Sequence, residues 1–478
     1  MNYTIVAHLL GWLFAILGAF LLIPGGVALA FGESVFPWLG SAVFWAATGG
    51  VLAWFTRTKK TRIRPRDSFV AVAGAWLAVS LVGALPYVLV GDFSIADAIF
   101  ESASGFTTTG STIMSDIEGQ TKGLLFWRAF TQWLGGMGII VFTIAILPLL
   151  GIGGMQLFKA EVPGPTADKV SPRVATTARA LWVVYVGFTV AEIVALLLAG
   201  MTFYDAVCHS LTTLSTGGFS TKNASIAAFN SPLIEWIIIF FMFCGGINFV
   251  LHFKAFSSRS LRPFKDMEFY YYLATVVVGA ALIAGGLVFT GTLTEGAIRT
   301  ALFQSISLIT TTGYATADFE LWPNATLIVV MLMLVLGGMA GSTAGGVKGL
   351  RVLLSFRSLQ STLWRLIHPH AVRPVKYGRK VVSDNVLSGV WAFLTAYAGI
   401  AVLLAAFVGA LDYDPLTAIT TSLTALGNVG PGLGEVGPFD NFAHFPATAK
   451  VVLAGAMVLG RLEIFTLLVF LSPEFWRR

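Results

Sequence analysis

The sequence predicts an all-α membrane protein with about ten transmembrane helices: two N-terminal helices, then four helix–re-entrant loop–helix repeats in pseudo-fourfold order around one axis. Three observations predict it: the composition, the spacing of the apolar runs, and a Thr/Gly stretch that recurs four times. Of 478 residues, 56% are hydrophobic and only 11% are charged, whereas a soluble domain carries about 25% charged residues. One soluble core cannot absorb this apolar surface, so membrane lipid is predicted to surround the chain.

The apolar runs are each close to the ~20 residues that a helix needs to cross a bilayer. Most of the 30 Lys and Arg residues fall in the loops that are inside when the N-terminus is inside, with dense clusters at 57–66 and 348–380. By the positive-inside rule both termini are cytoplasmic. The net charge of +6 therefore reflects topology, and no nucleic-acid partner is predicted. The predicted spans are 4–31, 36–56, 68–91, 124–150, 181–202, 233–254, 270–291, 326–350, 385–410 and 447–472.

Four outer segments end in similar Thr/Gly stretches whose glycines recur at intervals of roughly a hundred residues, the signature of repeated structural units. A span with small residues at a similar depth follows each stretch: Gly135-Gly136, Gly245-Gly246, Gly337-Gly338, and Gly455 or Gly460. The predicted division is a two-helix preface, 1–66, then repeats at 67–180, 181–266, 267–383 and 384–478. The stretches are Thr107-Thr108-Thr109-Gly110, Ser215-Thr216-Gly217-Gly218, Thr310-Thr311-Thr312-Gly313 and Asn428-Val429-Gly430-Pro431.

Non-helical backbone at membrane depth is tolerated only where it is buried in protein or lines a water-filled path. Four such loops on one axis can replace the hydration shell of a cation with carbonyl oxygens. Glycine reaches positive φ without a Cβ penalty, and Thr hydroxyls offer further oxygens. For a single loop, an ordinary Thr/Gly turn explains the pattern equally well. Four loops in register favour a cation filter formed by all sixteen residues of the four stretches.

Acidic residues outnumber basic ones in the outer loops; Glu101, Glu320 and Asp440 are examples. They either raise the local cation concentration at the mouth or result from the exclusion of basic residues from the outer side. Both interpretations remain open.

The four stretches, together with Gly341-Ser342-Thr343-Ala344-Gly345-Gly346-Val347-Lys348 and Gly460-Arg461-Leu462-Glu463, resemble the Trk/Ktr/HKT superfamily of potassium transporters, most of all the membrane subunits of bacterial Trk systems. The resemblance covers nearly the whole chain and implies K⁺ as the transported ion, with no other cofactor on this chain. It also implies a homodimer with one pore per protomer, a cytosolic nucleotide-binding regulatory subunit of the TrkA type, and the bacterial inner membrane. In the fourth stretch Asn428-Val429 departs from the Thr pattern.

Residues Gly337 to Gly349 are too rich in glycine for a comfortable helix, because each Gly costs roughly 1 kcal/mol against Ala. Either the segment breaks, or its GxxxG steps pack a tight helix; the resemblance favours a gating loop that includes Gly341, Gly345, Gly346 and Lys348. Arg461, a charge inside a predicted span, is a functional candidate by default, and the resemblance implies that it is part of the gate.

Other features stay open. Glu192 lies inside the fifth predicted span, where it serves either a proton path or a structural role. His368 and His370 are too few for a predicted metal site. No catalytic constellation appears, so an enzyme is not predicted. The alternative to a channel is a proton- or sodium-coupled potassium carrier.

Overall fold

The computed structural model describes residues 2–57, 64–145, 172–289, 296–370, 373–378 and 380–477. The ends of two predicted spans, 146–150 and 290–291, lie outside these residues. So do seven of the basic residues used to predict the topology: Lys59, Lys60, Arg62, Lys159, Lys169, Arg379 and Arg478.

The described chain is mostly helical and includes a two-stranded antiparallel hairpin of β1, Lys376–Tyr377, and β2, Lys380–Val381. Short 3₁₀ turns occupy Ser225–Phe229, Arg262–Phe264, Phe319–Leu321 and Val469–Leu471. The helices are α1 Tyr3–Phe20, α2 Leu22–Ala30, α3 Phe36–Phe55, α4 Pro65–Gly91, α5 Ile95–Phe106, α6 Lys122–Ala145, α7 Pro172–Leu198, α8 Phe203–Leu214, α9 Pro232–Gly245, α10 Phe249–Ser258, α11 Met267–Phe289, α12 Ala297–Ile309, α13 Asn324–Val335, α14 Gly349–Ile367, α15 Asp384–Gly409, α16 Pro415–Gly427, α17 Ala447–Arg461, α18 Phe465–Leu468 and α19 Pro473–Trp476.

Within the described residues, six helices are long and apolar enough to cross a membrane, or eight if each of two bent helix pairs counts as one span. The all-α membrane fold class is therefore confirmed. The predicted span 326–350 differs from the structure: α13 has only 12 residues, and the chain stays non-helical until α14 begins at Gly349. Two other predicted spans, 233–254 and 447–472, bend sharply, by 97° between α9 and α10 and by 106° after α17.

Four short helices enter between the long ones, as the repeat predicted: α5, α8, α12 and α16, with 12 or 13 residues each. At 1.5 Å per residue they are about 18–20 Å long, too short to cross the ~30 Å hydrocarbon core. Ser94 and Thr202 cap α5 and α8, and each accepts a hydrogen bond from the backbone of an Asp three residues later. These four helices are called the pore helices below. Each one ends at the residue directly before a Thr/Gly stretch.

Candidate ion-conducting site

The four Thr/Gly loops share one backbone conformation, with positive φ at the filter glycine and at the residue two positions before it. L-residues rarely adopt positive φ, but Asn does so more readily than most. The fourth loop, which departs in sequence, therefore does not depart in backbone shape. The φ values are 53°, 54°, 56° and 55° at Thr108, Thr216, Thr311 and Asn428, and 87°, 77°, 80° and 102° at Gly110, Gly218, Gly313 and Gly430.

The loops close into a ring in which each glycine faces a carbonyl of the next loop. A Cβ atom added to any of the four glycines would lie less than 3 Å from that carbonyl oxygen. The order runs around the ring without a gap, so all four repeats converge on one axis as predicted. The facing pairs are Gly110 with Gly217 O, Gly218 with Thr312 O, Gly313 with Val429 O, and Gly430 with Thr109 O.

Threonine hydroxyls form hydrogen bonds within two of the loops. Thr107 and Thr109 share a hydroxyl hydrogen bond of 2.7 Å, and Thr310 and Thr312 share one of 2.8 Å. Each of these two bonds lies within one loop, whereas Thr108 Oγ1 is buried with no partner among the described residues. The C-terminal ends of the pore helices point at the same ring, and their partial negative charge favours a cation there.

Asn428 takes the place that Thr occupies in the other three loops. Its Nδ2 donates to Thr109 Oγ1 and to the Met457 carbonyl oxygen, both at 2.9 Å. The asparagine thus ties the fourth loop to the first loop and to α17. The sequence departure is accommodated without breaking the ring.

The helix that follows each Thr/Gly loop carries small residues, and these allow close contact with the end of a pore helix. A Cβ added to Gly135 or to Gly460 would lie less than 3 Å from the carbonyl oxygen at the end of a pore helix, that of Phe106 or of Leu426. Gly455 has open space around the same position. Gly460, and not Gly455, is therefore the member of the fourth repeat that packs against the filter.

Residues 336–348 form a non-helical segment beneath the loops, so the tightly packed GxxxG helix is wrong and the predicted break is present. The segment contacts the third loop and the ends of the pore helices α8 and α16. Its hydrogen bonds run from Gly345 N to Thr311 Oγ1 (2.6 Å), from Gly346 N to Gly427 O (2.8 Å) and from Thr343 Oγ1 to Leu214 O (3.0 Å).

The predicted gate residues all belong to this segment or touch it. Gly341 and Gly346 have φ of 82° and 69°. Lys348 is buried, and its ammonium donates to the carbonyl oxygen of Ala344. Arg461, 3% exposed, donates from Nη1 to the carbonyl oxygen of Thr343 at 2.8 Å.

Glu463 pairs with a residue far away in the sequence. Helix α17 ends at Arg461, and Glu463 pairs with the guanidinium of Arg351 in the first turn of α14. The pair joins the end of the bent last span to the helix that follows the non-helical segment.

Comparison with known proteins identifies the family. Residues 39–478 match TrkH, described as a cation transport protein. Over 486 aligned residues the chain is 40% identical to the Trk system potassium uptake protein TrkH of Salmonella typhimurium, and each protein is covered in full. The chain belongs to the TrkH family. It is also 35% identical to the potassium uptake protein TrkG of Escherichia coli, covering 100% of this chain and 99% of TrkG.

Among solved structures, the crystal structure of the potassium transporter TrkH from Vibrio parahaemolyticus matches with a TM-score of 0.93. The two chains are 37% identical, and each covers 100% of the other. The resemblance seen in the sequence motifs is therefore confirmed over the full length.

A buried ion pair in this TrkH-family chain holds the first two loops together, and the sequence did not predict it. Glu101, expected as an acid at the outer mouth, is fully buried and bonded to Arg128 Nε at 2.7 Å. Glu101 also accepts from the backbone of Ile113, just beyond the first loop. Arg128 donates to the carbonyl oxygen of Ser220, and its guanidinium carbon lies 3.9 Å from the Phe219 ring centre. No local sequence signal links a residue of α5 with one of α6.

A vestibule on the side predicted to face outward is lined by the four filter glycines and by Asp440, which lies between α16 and α17. Glu320 lies behind this wall, where its Oε1 accepts a hydrogen bond of 2.5 Å from Gly434 N. Partial burial, with the neighbouring carboxyls of Asp440 and Asp318, raises the pKa of Glu320 to about 7. Below that pH the side chain is neutral, and above it the vestibule gains a negative charge.

Raising the external pH from 6 to 8 is therefore expected to increase the apparent affinity for the transported cation, because the extra charge concentrates cations at the mouth. Glu320→Gln should abolish this increase, whereas Glu118→Gln, at an exposed surface ion pair, should retain it. The measurement is uptake against external cation concentration at both pH values. An unchanged pH response in Glu320→Gln contradicts the assignment.

Glu192 and His368 are two residues whose roles the sequence left open. Glu192 is fully buried in α7, and neither carboxyl oxygen has a hydrogen-bond partner within the described part of the chain. His368 stacks on Trp364 with ring centres 4.4 Å apart. Among the residues whose placement is described, no group of three or more His, Cys, Asp or Glu could hold a metal ion.

Proposed function

We propose that this chain is the channel-like, ion-translocating subunit of a potassium uptake system in the bacterial inner membrane. The closed ring of four loops carries the proposal, because the carbonyl oxygen before each filter glycine lies against the filter glycine of a neighbouring loop; these oxygens belong to Thr109, Gly217, Thr312 and Val429. Rings of backbone carbonyls replace the hydration shell of K⁺. The named relatives support K⁺ as the ion, since both are potassium uptake proteins.

The coupled-carrier alternative is less well supported. Carriers commonly move a midplane site by rocking inverted repeats, whereas these four repeats share one orientation around one axis. Purified protein in liposomes with a K⁺ gradient and no imposed proton or sodium gradient tests the difference. Rapid uptake of tracer Rb⁺ supports the channel. Uptake that appears only with an imposed proton or sodium gradient supports the carrier instead.

The segment 336–348 is proposed as the gate. It lies beneath three of the four loops and is held by Arg461, whose charge also opposes a cation on the axis. A cytosolic nucleotide-binding partner of the TrkA type would control it, and two copies of the chain would form a homodimer with both termini in the cytoplasm. The Trk system name of the relatives supports such a regulated assembly.

Replacing Arg461 is expected to open this gate. Arg461→Gln removes the charge and weakens the bond to Thr343 O, and a hydrogen bond to a charged group contributes about 1.5–3 kcal/mol. Basal K⁺ flux without a regulatory partner should therefore rise roughly ten- to hundredfold. The matched control is Arg262→Gln, at an exposed arginine. A flux equal to or below that of the unaltered protein contradicts the role of Arg461.

A further inference from the structure

One side chain from outside the second loop holds that loop on both sides of its filter glycine. Gln132 of α6 is fully buried. Its Nε2 donates to the carbonyl oxygen of Gly217 at 2.6 Å, and its Oε1 accepts from Phe219 N at 3.1 Å. The amide therefore fixes the backbone immediately before and immediately after Gly218.

The residue before the filter glycine differs among the four loops. It is Thr109, Thr312 and Val429 in the first, third and fourth loops, and all three side chains are buried. In the second loop it is Gly217, which has no side chain. A Cβ atom added there would lie less than 3 Å from the amide carbon of Gln132. The amide thus occupies the space that the loop's own side chain fills in the other three repeats.

The exchange is specific to one repeat. Gln132 lies three residues before Gly135, which touches the end of a pore helix. At the corresponding position, the other three repeats carry buried residues without an amide: Met242, Leu334 and Met457. The second loop is therefore held by hydrogen bonds from a side chain of α6.

We propose that Gln132 is a specificity-determining positioning residue, which supplies from α6 the side chain that the second loop lacks and aims the Gly217 carbonyl within the ring. A carbonyl oxygen has two lone pairs. One accepts the Gln132 N–H, which fixes the direction of the other toward the ion. The proposal rests on the proposed function of the ring as a cation filter.

A reciprocal exchange tests the proposal. Gln132→Ala removes both hydrogen bonds to the loop. It should lower the K⁺/Na⁺ flux ratio about fivefold, the factor that corresponds to ~1 kcal/mol for the bond that orients the Gly217 carbonyl. Gly217→Thr should lower it as well, because the new Cβ collides with the amide. The double variant Gln132→Ala/Gly217→Thr should recover most of the ratio, since the second loop then carries the residue found in the first and third loops.

The control is Gln304→Ala in α12, a buried glutamine whose amide atoms have no hydrogen-bond partner in the described residues. It makes a similar truncation and should keep the ratio. A ratio unchanged in Gln132→Ala, or a double variant no better than the worse single variant, overturns the proposal.

A second readout separates this proposal from the function on which it rests. In detergent, K⁺ bound to the folded protein should raise the Tm more than Na⁺ does. If the unaltered protein passes no cation, the proposed channel fails. The difference between the Tm shifts caused by K⁺ and by Na⁺ still tests the role of Gln132. We expect this difference to be smaller in each single variant and to recover in the double variant.

Discussion

Gly218→Ala is expected to abolish selective cation flux. Gly218 has φ of 77°, and a left-handed backbone costs an L-residue about 1–2 kcal/mol. The added methyl would also lie less than 3 Å from the Thr312 carbonyl oxygen of the next loop. That oxygen must move, and the ring of carbonyls then opens between the second and third loops. We expect K⁺ flux to fall at least tenfold, because each 1.4 kcal/mol is a factor of ten, and the preference for K⁺ over Na⁺ to disappear.

Gly455→Ala is the matched control for this change. Gly455 lies within α17, and nothing lies within 4 Å of an added Cβ. Alanine is also the better helix former, so flux and selectivity should both persist. Liposome flux of K⁺ and Na⁺ measures the two variants together. Selective flux in Gly218→Ala at the level of the control would show that Gly218 does not face the next loop.

Among the substitutions proposed here, Glu101→Ala is expected to lower the stability of the folded protein most. Removal of one partner from a buried ion pair costs about 3–5 kcal/mol, because the other charge stays buried without compensation. Arg128 would retain the Ser220 carbonyl but lose its carboxylate, and Ile113 N would lose its acceptor. The first and second loops should therefore loosen as the protein destabilises. Thermal unfolding in detergent measures the loss.

Glu118→Ala tests the same chemistry at the surface. Glu118 pairs with Lys222 at 2.9 Å, but the two side chains are 47% and 34% exposed. Exposed pairs contribute about 0–1 kcal/mol, so this variant should unfold close to the unaltered protein. Equal destabilisation by the two variants would contradict a special role for the buried pair. A cycle with Arg128→Ala isolates the pair itself.

The sequence predicted what local chemistry determines. Positive φ at the filter glycines, the short pore helices and the break within 336–348 each follow from residues that are adjacent in the chain. The repeat also predicted that the four loops meet, because equivalent units surround one axis. Even the fourth loop follows local rules, since Asn428 suits the left-handed conformation.

Contacts between distant residues could not be predicted in this way. The choice between Gly455 and Gly460 depends on which glycine reaches the Leu426 carbonyl, and both have suitable spacing. Glu101 was indistinguishable from its acidic neighbours in the outer loops. The sharp bend near Glu463 interrupts the predicted span 447–472. The sequence did not indicate this bend, because no proline lies there.

The most direct test of the account compares K⁺, Rb⁺, Na⁺ and Li⁺ flux through purified protein in liposomes, for the unaltered chain and for Gly313→Ser. Gly313 has φ of 80° and faces the Val429 carbonyl oxygen. We expect the unaltered protein to pass K⁺ and Rb⁺ well above Na⁺ and Li⁺, and Gly313→Ser to lose this preference. Equal passage of all four ions by the unaltered protein, or full selectivity in Gly313→Ser, would contradict the four-loop filter.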